Sequence, residues 1–186
     1  MATTADFRNG MVLRLDGGLW QIVYFQHVKP GKGGAFVRTR LKKVETGQVV
    51  ERTFRAGERV DDVRLERRPM QYLYSGDHHA YFMDLETYEQ HPVDEGLLRD
   101  QQSFLKENIV CDLLLHEARV IGVELPNFIE AEIVDTEPGV RGDTATGGTK
   151  PARLETGAIV QVPLFVNKGE TIRVDTRTSA YLERVS

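Results

Sequence analysis

Apolar and polar residues alternate along short runs, and glycine-bearing turns separate the runs. A period of two is the signature of strands with one buried face. Runs 11–15 and 19–28 flank Asp16-Gly17-Gly18, a hairpin signal because glycine takes positive φ at little cost. Runs 35–44 and 49–54 flank Glu45-Thr46-Gly47-Gln48. The same pattern predicts strands at 71–74, 80–85, 109–115, 119–125, 128–135, 159–165, 171–175 and 180–185. Only 93–108, where Leu97, Leu98, Phe104 and Leu105 fall roughly at helical spacing, predicts a short helix or turn. Strands do not alternate with helices, which excludes a doubly wound or α/β-barrel enzyme. Many short strands in units of about 60 residues predict an all-β chain of three small barrels, SH3-like or OB in type. Soft boundaries near 61–68 and 126–127 divide it into 1–64, 65–127 and 128–186.

Composition narrows the class. The chain has 186 residues, 40% hydrophobic and 28% charged, an ordinary globular balance. No apolar run approaches the ~18 residues of a membrane span, and residues 1–10 lack the apolar core of a secretory signal. A cytoplasmic protein without a membrane partner is expected. The single cysteine, Cys111, excludes an internal disulfide framework and a thiolate zinc site.

The net charge of −4 argues against a nucleic-acid partner until its distribution is considered. Residues 1–64 carry 12 Lys and Arg against 7 Asp and Glu, a balance of +5; residues 65–127 stand at −7 and residues 128–186 at −2. Such a molecule can present one end to phosphate and keep the rest away from it.

The basic end has a focus. Lys29-Pro30-Gly31-Lys32-Gly33-Gly34 joins two predicted strands, with Lys32 the one long side chain at the apex of a glycine-rich tip. The next strand puts Phe36, Arg38, Arg40 and Lys42 on one face and Ala35, Val37, Thr39 and Leu41 on the other. From Lys29 to Lys43 there are six basic residues and no acidic one. A basic strand topped by an exposed lysine suits entry between phosphate-lined RNA walls. The plain alternative is a hairpin tip kept soluble by charge. The loop is no nucleotide-binding P-loop, because Gly-Lys-Ser/Thr is missing and a strand follows.

A second loop, 138–151, holds Gly139, Gly142, Asp143, Thr144, Gly147 and Gly148 with the cations Arg141 and Lys150. Hydroxyls and open backbone N–H groups suit a sugar-phosphate backbone or base edges; a solvated connector is the alternative. Adjacent His78 and His79 on a strand would point to opposite faces and could not easily share a metal ion, so they read as a solvated turn after Ser75-Gly76-Asp77. Asp84, Glu86 and Glu89 read as an acidic face that repels RNA. Cys111, inside an apolar run, reads as a buried thiol. Trp20 reads as core. No Gly-x-Ser-x-Gly or other catalytic constellation occurs, so neither an enzyme nor a resident cofactor is expected. A generic single-strand RNA binder would want more exposed aromatic residues than the 8% present.

Lys29-Pro30-Gly31-Lys32-Gly33, Gly142-Asp143-Thr144 and 147–152 together resemble the bacterial elongation factor P family. So do the blocks 82–90, 154–158, 162–165 and 174–177, and the similarity runs nearly end to end. The resemblance implies a KOW/SH3-like domain and two OB-folds in an L-shaped, tRNA-like arrangement. It implies a non-enzymatic, monomeric translation factor that binds the ribosome between the peptidyl-tRNA and exit sites. There it would promote peptide-bond formation at consecutive prolines. Lys32 would reach the CCA end of the peptidyl-tRNA and serve as substrate of a modifying enzyme. The Gly142-Asp143-Thr144 loop, with Gly147 and Gly148, would lie near the mRNA codon of the exit site.

Overall fold

The computed structural model describes residues 1–139 and 148–185. Among them the fold is nearly all β, with three sheets in chain order. The first comprises β1 (Ala2–Thr3), β2 (Val12–Leu15), β3 (Gly18–Val28), β4 (Phe36–Lys43), β5 (Val49–Arg55) and β6 (Arg59–Asp62), in spatial order β1-β6-β2-β3-β4-β5. The second comprises β7 (Glu66–Gly76), β8 (His79–Asp84), β9 (Gln90–Asp94), β10 (Val110–His116) and β11 (Arg119–Glu124), ordered β11-β10-β7-β8-β9. The third comprises β12 (Phe128–Thr136), β13 (Thr149–Leu154), β14 (Ile159–Pro163), β15 (Thr171–Asp175) and β16 (Ala180–Arg184), ordered β14-β13-β12-β15-β16. The chain falls into two compact units, Met1–Arg68 with Leu113–Val123, and Pro69–Asp112 with Glu124–Ser186. No helix among the described residues is long and apolar enough to cross a membrane.

Alternation decides which side each strand shows. Along β4, Val37, Thr39 and Leu41 are buried while Arg38 and Arg40 are exposed. The inner face packs with Phe7, Leu13, Ile22, Phe54 and Val60. Each such side chain, fully buried, contributes about 1.5–3 kcal/mol. Thr39 is the one polar group on β4's inner face, and its hydroxyl donates to the Arg52 carbonyl at 2.7 Å, so its burial is compensated. Along β12, Ile129, Ala131 and Ile133 are buried and Glu130 and Glu132 exposed, feeding a core with Leu154, Val160, Val162, Ile172 and Val174.

Strict alternation fails once where it matters. β3 pairs with β4 as Ile22↔Leu41 and then Tyr24↔Arg40, so Val23 is an extra residue, a β-bulge. The bulge reverses the parity of the rest of β3. Phe25 packs on the core, edge-on to Phe7, while Tyr24 turns out beside Arg40.

The 93–108 stretch is less helical than its apolar spacing predicts. Strand β9 continues through Asp94, then α1 (Glu95–Leu98) makes a single turn, and a 3₁₀ turn follows over Arg99–Phe104. Asp94 caps α1 by accepting from the Gly96 N–H at 2.7 Å, and Arg99, at φ +40°, breaks it. Phe104 drops into the core of the third sheet. Strands β9 and β13 escape the alternation reading because prolines interrupt them. Pro92 is tolerated on an edge strand, and Pro151 stands past the last β12 pair, Thr136 with Ala152.

Two predictions follow from local geometry. The two-residue turn between β10 and β11 holds Glu117 at φ +49° and Ala118 at φ +65°, a left-handed conformation that disfavours any Cβ. Ala118→Gly is expected to stabilise by roughly 0.5–1 kcal/mol, raising the melting temperature by about 1–3 °C. A lower melting temperature in calorimetry would contradict the turn.

The second concerns acid. Lys106 donates to Glu155 Oε1 at 2.8 Å and the Glu132 N–H donates to the same oxygen at 3.0 Å, holding the Glu155 carboxyl below its ordinary value. Hydrogen bonds from the Arg177 guanidinium, and then from its backbone N–H, do the same for Asp175. A depressed folded value means stability fully present above the ordinary carboxylate range and lost as pH falls through the folded value. The melting temperature should therefore drop below about pH 4. Glu155→Gln should flatten part of that drop, and an unchanged acid slope would show the pair to be inert.

Candidate RNA-contacting finger and basic strand

The finger grows from the longest hairpin of the first sheet. β3 and β4 stay paired to Val28↔Phe36, and the loop between them carries Lys29, Gly31, Lys32, Gly33 and Gly34 exposed and Pro30 half-buried. The Ala56 N–H donates to the Ala35 carbonyl at 3.0 Å, tying the base of the loop to the end of β5. Gly33, at φ +98°, needs glycine for its backbone. Gly31 and Gly34 do not: neither has a positive φ of that kind, and a Cβ on either would meet no atom within 4 Å. Nothing among the described residues requires their side chains to be missing.

Below the finger lies a cationic sheet face. Register places Val28, Phe36 and Arg55 in one row across three strands, Gln26, Arg38 and Thr53 in the next, and Tyr24, Arg40 and Glu51 in the third. Lys42 follows, between Gln21 and Val49. Arg40 makes a 3.5 Å contact with Glu51, both well exposed, a pair worth little in water. Among the described residues the side chains of Lys29, Lys32, Arg38 and Lys42 have no hydrogen bond or ion pair. Their charge is available to a partner. The structure thus brings Lys29, Lys32, Arg38, Arg40 and Lys42 onto one hairpin, from its tip to the far end of β4.

The second loop stands differently. Gly142, Asp143, Thr144 and Gly147 lie outside the described residues. Both of the loop's ends are held. A Cβ on Gly139 would come within 2.5 Å of the Leu164 carbonyl oxygen, so only glycine fits. Lys150, counted by the sequence among the loop's cations, is instead buried and donates to the Glu137 carbonyl. The chain returning through half-buried Gly148 into β13 is therefore anchored from inside. The inward cation was missed because the β13 sequence Thr-Lys-Pro-Ala does not read as a strand.

The remaining polar candidates are structural. Asp77 and His78, at φ +51° and +61°, form the turn between β7 and β8, and His79 Nδ1 lies 2.7 Å from the Asp77 carbonyl. Among the described residues no group of three His, Cys, Asp or Glu side chains could hold a metal ion. Asp84 leaves the acidic face the sequence suggested: it is buried, its Oδ1 accepting from the N–H groups of Glu86 at 2.8 Å and Thr87 at 3.3 Å to shape the turn after β8. Cys111 is buried, and burial first, then the charge of Asp112, pushes its thiol up to about 12, leaving no thiolate at neutral pH. Trp20 packs on the first core, with the Lys43 ammonium 5.9 Å from its ring centre.

Known proteins repeat this pattern along the whole chain. The elongation factor P KOW-like domain matches residues 3–60, the elongation factor P OB domain residues 65–123, and the elongation factor P C-terminal domain residues 129–184. Elongation factor P of Pelotomaculum thermopropionicum is 54% identical over 185 residues, covering 100% of both chains. That of Acetivibrio thermocellus is 53% identical with the same coverage. The solved structure of eukaryotic translation initiation factor 5A from Methanococcus jannaschii aligns with TM-score 0.48 and 23% identity, over 67% of this chain and 90% of that one. The chain belongs to the elongation factor P family, and so is a translation elongation factor and not an enzyme.

Proposed function

We propose that this factor binds the ribosome between the peptidyl-tRNA and exit sites and positions the CCA end of the peptidyl-tRNA, restoring peptide-bond formation where consecutive prolines stall it. It works as a monomer of three domains, 1–64, 65–127 and 128–186. Lys32, with or without an extension added by a modifying enzyme, is the group that reaches the tRNA end. Arg38, Arg40 and Lys42 grip RNA phosphates behind it. Gly142, Asp143 and Thr144, with Gly147 and Gly148, face the mRNA codon of the exit site.

The observation that carries this reading is the pair of glycines at 31 and 34. Neither backbone conformation nor internal packing asks for glycine there, so the slimness of the finger serves something outside the chain. A finger without bulk beside its one long side chain fits a narrow RNA-walled passage. The energetics are within reach of positioning alone. Proline stiffens the nascent chain and misplaces the reacting groups. Recovering a hundredfold in rate takes only about 2.7 kcal/mol, well inside what alignment of reactants supplies. No catalytic acid or base is needed, and the ribosome performs the chemistry.

Lys32→Ala is expected to abolish rescue of a proline-run reporter in reconstituted translation. Stability should stay within about 0.5 kcal/mol, since the residue is exposed and its side chain makes no hydrogen bond or ion pair among the described residues. Wild-type rescue by this variant would end the assignment. Gly34→Ala separates fold from function more sharply. With space for its methyl, it should leave stability unchanged or raise it by about 0.4–1 kcal/mol through the unfolded chain. Rescue should nonetheless slow, because the methyl thickens the finger; a variant that is both more stable and fully active would refute the fit.

A further inference from the structure

The outward face of the β3–β4 hairpin holds two rings that the charge pattern does not account for. Tyr24 is 45% exposed, and only the bulge at Val23 turns it outward. The Arg40 guanidinium lies 5.5 Å from the centre of the Tyr24 ring, and the Arg38 guanidinium lies 5.6 Å from that of Phe36. Both distances are in the range of cation–π attraction. We infer that Tyr24 and Phe36 are positioning residues for RNA binding: each ring holds its arginine so that the guanidinium N–H groups meet backbone phosphates already oriented. This deepens the proposed role of the basic strand and rests on it.

Several features point the same way. An unsupported arginine on a strand surface samples many rotamers, and fixing it on binding costs about 0.5–1.5 kcal/mol per side chain. A ring beneath the guanidinium removes part of that loss in advance, while the planar group keeps its N–H edges free for oxygen acceptors. Arg38 has no carboxylate partner and its opposite neighbours are the neutral Gln26 and Thr53. Arg40 has one exposed partner, Glu51. The two arginines are thus fixed chiefly by rings rather than neutralised by acids. The bulge supplies the second support: a strict strand would turn Tyr24 to the core side with Ile22 and deprive Arg40 of its ring. Bulges re-aim side chains in this way where a surface has a use.

The partner chemistry is the sugar-phosphate backbone of RNA. A stacked base would need an open ring face, and here an arginine lies by each ring.

The test is ribosome binding by the full-length protein over a salt series, for Tyr24→Leu with Phe36→Leu, Tyr24→Phe with Phe36→Tyr, and Arg38→Glu with Arg40→Glu. The leucine pair keeps apolar bulk but loses the rings. It should weaken binding about five- to thirtyfold with the log–log salt slope unchanged, because the same phosphates are neutralised. The aromatic-for-aromatic pair should bind as wild type. The glutamate pair should lower affinity and flatten the slope by roughly 0.7–0.9 per lost contact. Leucine variants that melt normally and bind as tightly as wild type, while the glutamate pair fails, would overturn the role of the rings alone. Wild-type affinity and slope in the glutamate pair would instead overturn the RNA-binding reading of the strand. A leucine pair that weakens binding with a flatter slope would show that the arginines lose their phosphate contacts outright without the rings, which contradicts a role limited to orienting them beforehand.

Discussion

The register of β3 against β4 is the constraint on which the placement of the finger and the basic face depends. Val37, Thr39 and Leu41 face the core with Ile22 and Phe54, and their burial forbids a one-residue slip, because a slip would send Arg38 and Arg40 inward. Desolvating two guanidinium groups without partners costs far more than any surface contact returns. The hydrophobic face of one strand therefore fixes where the charges on its other face stand. The same pairing runs out to Val28↔Phe36, so the finger begins directly from a fully paired stem.

Charge and packing divide the labour. The first 64 residues carry +5 and the next 63 carry −7, so any polyanionic surface would attract the first segment and repel the second. Inside the acidic segment, buried Asp84 is spent on turn geometry and Cys111 on packing. The cations of the hairpin face, Arg38 and Arg40 among them, point outward. Lys150, by contrast, is buried and ties down the return of the second loop. Whether a cation serves a partner or the fold is decided by its place in the strand pairing, not by its loop neighbours.

Much of this was legible in the sequence because alternation with glycine turns is a strong local signal. Residues 35–44 read correctly as a strand with Arg38, Arg40 and Lys42 outward, and the Asp16-Gly17 turn appears at its predicted place. Simple alternation does not hold past Val23, where a bulge has no residue signature and only the pairing partner reveals it; Tyr24 was therefore not singled out. It failed again at β9 and β13, whose prolines are tolerated on an edge strand and beyond the last β12 pair, positions that exist only in the assembled sheet. The 93–108 stretch kept Leu98, Phe104 and Leu105 buried while giving up the helix, which stops where Arg99 takes φ +40°. Of the candidate site, the finger and strand were visible as a charge run. The indifference of Gly31 and Gly34 to internal packing emerges only from the three-dimensional surroundings.

The central claim is that the finger enters the space beside the tRNA's 3′ end. Cys111 is buried, with its thiol pushed up to about 12, so a cysteine introduced as Lys29→Cys can be labelled selectively with an iron chelate, leaving Lys32 in place. Hydroxyl radicals generated from that site on stalled ribosomes should cut the peptidyl-tRNA at its CCA end and acceptor strand. The same chelate at Glu107→Cys should leave those nucleotides intact. Cleavage confined to other RNA, or equal cleavage from both positions, would contradict the account.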